Sequence, residues 1–148
     1  MKKAKFSYPG GCDIGARPID LHLKAFKELG INIKEEAGTI NCNTEKIVPT
    51  EIHLDFPSVG ATENIMLVTT LANGTTIIKN AAMEPEIVDL ANMLNKMGAK
   101  IEGAGSNEIK ITGVKHLKDV SYNVMPDRIE AGTLLCAVAG TRWKSKIE

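Results

Sequence analysis

Only three cysteines occur in the chain, Cys12, Cys42 and Cys136, and no two of them stand in a Cys-x-x-Cys pair. That spacing excludes a zinc knuckle. Net charge is missing as well: 18 Lys and Arg balance 18 Asp and Glu. A neutral chain has no general electrostatic drive toward nucleic acid or an anionic membrane. The lysines at one end (Lys2, Lys3, Lys5) and the basic residues at the other (Arg142, Lys144, Lys146) read as solvated tails. No apolar run approaches the roughly 20 residues needed to span a bilayer. The basic start is not followed by a long apolar stretch, so it does not read as a secretory signal. These absences predict a soluble, cytoplasmic protein with reduced thiols, no nucleic-acid partner and no membrane partner.

What remains is ordinary globular composition: 148 residues, 43% hydrophobic and 24% charged. That is enough chain for one domain with a sizeable core. An internal repeat organises it. Residues 19–33 read IDLHLKAFKELGINI and residues 87–101 read IVDLANMLNKMGAKI. Their closing glycines, Gly30 and Gly98, stand 68 residues apart. Each copy follows a proline, Pro18 or Pro85, which suits an early helical position. Apolar residues recur at helical spacing: Leu23, Phe26 and Leu29 in the first copy, Leu90, Met93, Leu94 and Met97 in the second. A glycine suits the C-terminal cap of each. Short strands are predicted after each helix, over 32–35 with 39–42 and over 100–102 with 108–112. Alternating strands are predicted before them, over 4–8 and 75–79. A helix is predicted over 59–72, with Ser58 as its N-cap, and another over 128–139. The unit is thus helix, strand, helix, then two or three strands. The chain ends fall inside a unit, which predicts a piece of a longer protein whose units need neighbours to close a core.

Candidate chemistry concentrates in a few places. The segment 9–22, PGGCDIGARPIDLH, places Cys12 in a Pro-Gly-Gly loop and Arg17 at the mouth of a helix. Arginine and helix N-termini both favour phosphate and stabilise a thiolate. The plain alternative is a loop with an incidental thiol. Residues Ser58, Val59 and Gly60 open the helix over 59–72, as an ordinary cap or as an anion site. Glu84 and Asp127 precede helices, where acids normally serve the helix dipole. Asp20 and His22 are two apart on a helix and cannot share a metal. His53 and His116 have no nearby partners in sequence. Cys42 at a strand end and Cys136 among apolar helical residues read as shielded, which leaves Cys12 as the thiol expected to react first.

Taken together, PGGCDIGARPIDLH, DFPSVGATENIM, NAAMEPEIVDLANMLNKMGAKI and MPDRIEAGT resemble the UDP-N-acetylglucosamine 1-carboxyvinyltransferase family, from about Ala4 to Gly140. The resemblance implies an α/β fold of inside-out barrels, with strands outside and helices within, built from units of the observed 68-residue period. It divides the chain into 1–124, part of one domain (incomplete unit 1–54, complete unit 55–124), and 125–148, the first helix of a following domain plus an atypical tail. It implies transfer of the enolpyruvyl group of phosphoenolpyruvate onto UDP-N-acetylglucosamine, with release of phosphate, in cytoplasmic peptidoglycan synthesis. No cofactor and no metal are implied.

Carried over by motif, the resemblance makes Cys12 the acid that protonates the methylene carbon, and the residue alkylated by fosfomycin. An ordinary thiol, with a pKa of about 8.5, keeps its proton near neutrality and so suits that role. Arg17 contacts phosphate at the reaction centre. Pro18, Ile19, Asp20 and Leu21 hold the uridine end, Ser58, Val59 and Gly60 the phosphates of the nucleotide sugar, and Glu84 and Asp127 line the site, Asp127 in a catalytic role. Asp13 and Phe56 depart from the pattern, at positions where a small or hydroxyl residue and a lysine are expected. The transferase acting on shikimate phosphate is the rival enzyme. A scaffold or nucleotide-sugar half-site without turnover is the rival for the isolated chain. Its partners are then the two substrates and either the remainder of the transferase or a second copy, through residues 128–139.

Overall fold

The structure, a computed structural model, describes residues 3–8, 18–141 and 146. Cys12, Asp13 and Arg17 lie outside the described residues. In chain order the elements are β1 (Lys3–Ser7), α1 (Asp20–Glu28), β2 (Asn32–Glu36), β3 (Thr39–Asn43), β4 (Glu51–His53), α2 (Val59–Thr69), β5 (Thr75–Lys79), α3 (Pro85–Lys96), β6 (Lys100–Glu102), β7 (Glu108–Thr112) and α4 (Arg128–Thr141). Content is mixed α/β, as the periodicities predict. The helix predicted over 59–72 stops earlier, at Thr69, and the one predicted over 128–139 runs slightly longer.

The two sheets have matching strand orders. The first is β1-β3-β2, antiparallel throughout, with Ala4 opposite Cys42 and Ile33 opposite the same residue. The second is β4-β5-β7-β6. Within it β5-β7-β6 repeats the antiparallel pattern of the first sheet, with Ile78 opposite Ile109 and Ile101 opposite Ile111. Strand β4 adds a parallel edge to β5, through the crossover helix α2. Sequence periodicity misses β4, because three residues carry too little alternation to register.

The two copies of the repeated helix end in the same way. Gly30 adopts φ +80° and Gly98 φ +102°. In each case the glycine N–H and the next residue's N–H return to the last turn. Gly30 N donates to the Lys27 carbonyl at 3.0 Å and Ile31 N to that of Phe26 at 3.0 Å. Gly98 N donates to the Asn95 carbonyl at 3.0 Å and Ala99 N to that of Leu94 at 3.0 Å. This double closure satisfies carbonyls that the helix leaves open, and only glycine reaches that backbone without strain.

Helix α2 occupies the middle. It touches α1 on one side, α3 on the other, and the β5 and β7 strands of the sheet. Ala61, Thr62, Ile65, Met66 and Thr69 are all buried and share one face of this largely apolar helix, while Leu67 on the opposite side is exposed. The main core joins Ala61, Ile65 and Met66 to Leu29 and Ala25 of the α1 end, Ile78, Ile109 and Ile111 of the sheet, and Ile87, Ala91 and Leu94 of α3. Helix α4 contributes nothing to it. None of its residues is buried, and Ile129, Leu134 and Leu135 are all exposed. Cys136 is exposed with the rest of that helix, whereas Cys42 is half-buried and burial pushes its thiol pKa up. The expectation that apolar neighbours shield Cys136 therefore fails, since those neighbours are themselves uncovered. Among the described residues no helix is long and apolar enough to cross a membrane.

Candidate functional site

Among the described residues, the predicted site residues stand at or just before helix N-termini, and contacts link those helix ends in turn. Ser58 caps α2 as its position predicts, its Oγ accepting from Ala61 N at 3.3 Å. From α1, His22 reaches the same turn: its ring Nδ1 lies 3.0 Å from Asn64 Nδ2, and its edge packs on Gly60. Lys24, one turn into α1, binds Asp55 just ahead of α2 at 2.6 Å. The first turn of α1, which follows Pro18 and Ile19, is thus held against the first turn of α2 through His22 and Gly60. Pro18, Ile19 and Asp20 line an open groove of about 560 Å³ that continues along α1 to Lys24 and Lys27.

The start of α3 is tied to the same place. Thr62 is fully buried; its Oγ1 donates to the Ser58 carbonyl at 2.8 Å and accepts from Ala82 N at 3.1 Å. That second bond fixes the segment leading to Glu84, which is half-buried at the head of α3 with no capping bond of its own. Asn80, at φ +55°, turns the chain there, and its side-chain amide donates to the Leu54 carbonyl at 2.8 Å. We expect Thr62→Val to destabilise the protein by about 1–3 kcal/mol, since the shape is kept while the buried Ala82 N–H loses its acceptor. Urea denaturation checks this, and a variant as stable as the parent would contradict it.

Helix α4 joins last. Asp127 Oδ1 accepts from Ile129 N at 2.8 Å and Glu130 N at 3.2 Å, so Asp127 caps α4. Arg128 in turn pairs with Glu86 of α3 at 3.0 Å. The Glu86 backbone N–H and the Arg128 guanidinium hold the Glu86 carboxyl below the usual carboxylate range. Glu63 on α2 moves the other way, raised by burial and by the nearby Glu86 charge. Glu63, Glu86, Asp127 and Arg128 border one open groove of about 500 Å³.

Side-chain contacts therefore chain the N-terminal ends of α1, α2, α3 and α4 together. Each end carries the positive pole of a helix dipole, a field that favours an anion, although Ser58, Glu86 and Asp127 already accept from some of the end N–H groups. Residue spacing alone misses His22, Thr62, Asn64 and the Arg128–Glu86 pair. The available signal was that Thr62 and Asn64 stand among the few polar residues of the mainly apolar stretch that forms α2. Among the described residues no group of three or more His, Cys, Asp or Glu is placed to hold a metal ion.

The family model for EPSP synthase (3-phosphoshikimate 1-carboxyvinyltransferase) matches residues 1–148. The UDP-N-acetylglucosamine 1-carboxyvinyltransferase 2 of Caldanaerobacter subterraneus subsp. tengcongensis is 64% identical over 141 residues, covering 95% of this chain and 34% of that protein. The protein of the same name from Carboxydothermus hydrogenoformans is 58% identical over 146 residues, covering 99% and 35%. This chain spans about a third of the length of these relatives. Among solved structures, the enolpyruvyl transferase NikO from Streptomyces tendae aligns with a TM-score of 0.77 at 25% identity, over 92% of this chain and 33% of that one. EPSP synthase from Acinetobacter baumannii shares the fold at a TM-score of 0.69 and 21% identity, over 93% and 31%. By sequence and by fold, the chain belongs to the EPSP synthase family of enolpyruvyl (1-carboxyvinyl) transferases.

Proposed function

We propose that this chain supplies part of a transferase that moves the enolpyruvyl group of phosphoenolpyruvate onto UDP-N-acetylglucosamine and releases phosphate, in cytoplasmic peptidoglycan synthesis. The observation that carries the reading is the His22–Asn64 contact, which joins the first turn of α1, just after residues 18–21, to α2 beside Gly60, in a chain 64% identical to a relative named for that reaction. Helix-end N–H groups attract the diphosphate of a nucleotide sugar without bringing a counter-ion of their own. In this reading a sugar hydroxyl gives up its proton as its oxygen adds to the enol carbon, Cys12 gives a proton to the methylene carbon, and the tetrahedral adduct loses phosphate together with one methyl proton, which restores the double bond. Arg17 balances charge on the departing phosphate. Glu84 and Asp127 edge the site, and Asp127 keeps its cap on α4 while doing so. Cys12 is also where fosfomycin would attach.

We read the two sheet-and-helix units as parts of one inside-out barrel, residues 1–124, with α4 opening a second domain. Groups from both domains must converge on one substrate pair for turnover. The chain by itself is then a nucleotide-sugar half-site. Mixed with both substrates, it is expected to release no more phosphate than Cys12→Ser does. Release well above that control would overturn the half-site reading. Titrating the ¹⁵N-labelled chain with UDP-N-acetylglucosamine should shift the amides of Asp20, Leu21, Val59 and Gly60. Shikimate 3-phosphate, the substrate of the rival enzyme, should leave them in place. A response to shikimate 3-phosphate alone would exchange the two readings.

A further inference from the structure

Two of the residues that join α1 to α2 at the site, His22 and Asn64, are not among the candidate site residues that the sequence singles out. Asn64 Nδ2 has two hydrogens, and both are engaged. One goes to the Gly60 carbonyl at 2.9 Å, the other to His22 Nδ1 at 3.0 Å. The ring nitrogen must therefore accept, which puts the ring hydrogen on Nε2. The ring also needs the space above Gly60. A Cβ built there would lie 3.2 Å from His22 Cε1 and 3.5 Å from Nε2. A glycine in the first turn of α2 thus admits a half-buried ring from α1, and one asparagine holds both partners.

We infer that His22 is a positioning residue: its hydrogen bond with Asn64, seated over Gly60, locks the first turn of α1 onto the first turn of α2 and sets the spacing between segments 18–21 and 58–60. The role toward a ligand rests on the function proposed above; the lock itself does not.

The lock needs a neutral ring. A proton on Nδ1 turns it into a donor facing Asn64 Nδ2. Asn64 would then have to present Oδ1 to the ring, and so give up its bond to the Gly60 carbonyl. Burial acts in the same direction and lowers the His22 pKa from 6.5, with Asp20 opposing. Of the other charged groups around the ring, Lys24 and Asp55 pair with each other, and Glu63, the one charged residue of α2, faces Glu86 of α3. Because the folded ring binds a proton less readily than the unfolded one, stability is lost as pH falls below 6.5.

The test uses the intact ¹⁵N-labelled chain. Long-range ring correlations at neutral pH should report Nε2–H with bare Nδ1. The Asn64 side-chain amide should shift with the same midpoint as the His22 ring, below 6.5. The opposite tautomer, or an Asn64 amide indifferent to that titration, overturns the lock whatever the ligand does. UDP-N-acetylglucosamine supplies the second arm. The parent should show one common affinity at Asp20, Leu21, Val59 and Gly60. His22→Ala and Gly60→Ala should each weaken it by about tenfold, as expected for one lost hydrogen bond with reorganisation. His22→Asn, whose Oδ1 can stand in for Nδ1, should recover most of that loss. Dispersed spectra show that each variant is folded. Equal affinity in His22→Ala overturns the positioning role. A parent that binds no nucleotide sugar sinks the proposed function instead, and the lock then stands or falls on the ring and amide titration.

Discussion

Gly113→Ala is expected to abolish the cooperative unfolding transition or move it far toward zero denaturant. Gly113 sits where the end of β7 crosses the end of α2. Its N–H donates to the Gly74 carbonyl at 2.9 Å, and the next N–H, of Val114, donates to the Thr70 carbonyl at 2.8 Å. A Cβ at position 113 would fall 1.6 Å from the Ala72 carbonyl oxygen and 2.7 Å from its carbon. The obstacle is backbone, so no side chain can swing aside. Relief requires the two strands of chain to separate, and separation breaks both hydrogen bonds. The cost belongs among the largest single-substitution effects, about 4 kcal/mol or more. Against a total stability of roughly 5–15 kcal/mol that is a large share. Gly132→Ala is the matching control. Nothing lies within 4 Å of a Cβ there, and the residue is inside α4. It should be neutral or gain up to about 1 kcal/mol through helix propensity. Urea titration followed by circular dichroism measures both. A Gly113→Ala midpoint equal to the parent's would refute the clash.

That glycine also marks the limit of reading the chain as text. Gly30 and Gly98 are legible, because a helical pattern ending in glycine predicts a left-handed cap from local chemistry. Gly113 needs glycine because of Ala72, which lies 41 residues back and on another element. The same division runs through the site. Ser58 and Asp127 read as caps and are caps, since capping joins residues two or three apart. His22 with Asn64, and Glu86 with Arg128, are each 42 residues apart, and no periodicity announces them. Strands over 75–79, 100–102 and 108–112 are legible from alternation, and β4 is not. Buried side chains follow the same rule. Leu23, Leu29 and Leu94 fall on predicted apolar faces and are buried, whereas Leu134 and Leu135 of α4 follow the pattern and are exposed. Pattern says which face wants cover; only the tertiary structure says whether it has it.

The uncovered face of α4 should make this chain a dimer. Ile129, Leu134 and Leu135 are 61%, 58% and 52% exposed. Burying such side chains fully is worth about 1.5–3 kcal/mol each. A second surface is also open: Ile31, Ile47, Val68 and Leu71 line a groove of about 330 Å³ between the first sheet and the C-terminal half of α2. Helix α4 is kept from turning back onto its own chain, because the segment 114–127 is strapped along α3. Lys118 N donates to the Met97 carbonyl at 2.8 Å, and the Tyr122 hydroxyl donates to Asp89 Oδ1 at 2.8 Å. Lys96 lies over the Tyr122 ring, 4.9 Å from its centre, and Arg128 closes the strap on Glu86. Folding back would release these contacts, whereas a second copy can cover α4 without disturbing them. We therefore propose self-association of this chain through residues 128–139. Light scattering should find a dimer for the intact chain and a monomer for one ending at Val124. Leu134→Asp combined with Leu135→Asp should give the monomer at full length, by placing two charges where apolar cover is needed. If the intact and shortened chains are both monomers of equal stability, α4 is a helix without a partner and the proposal fails.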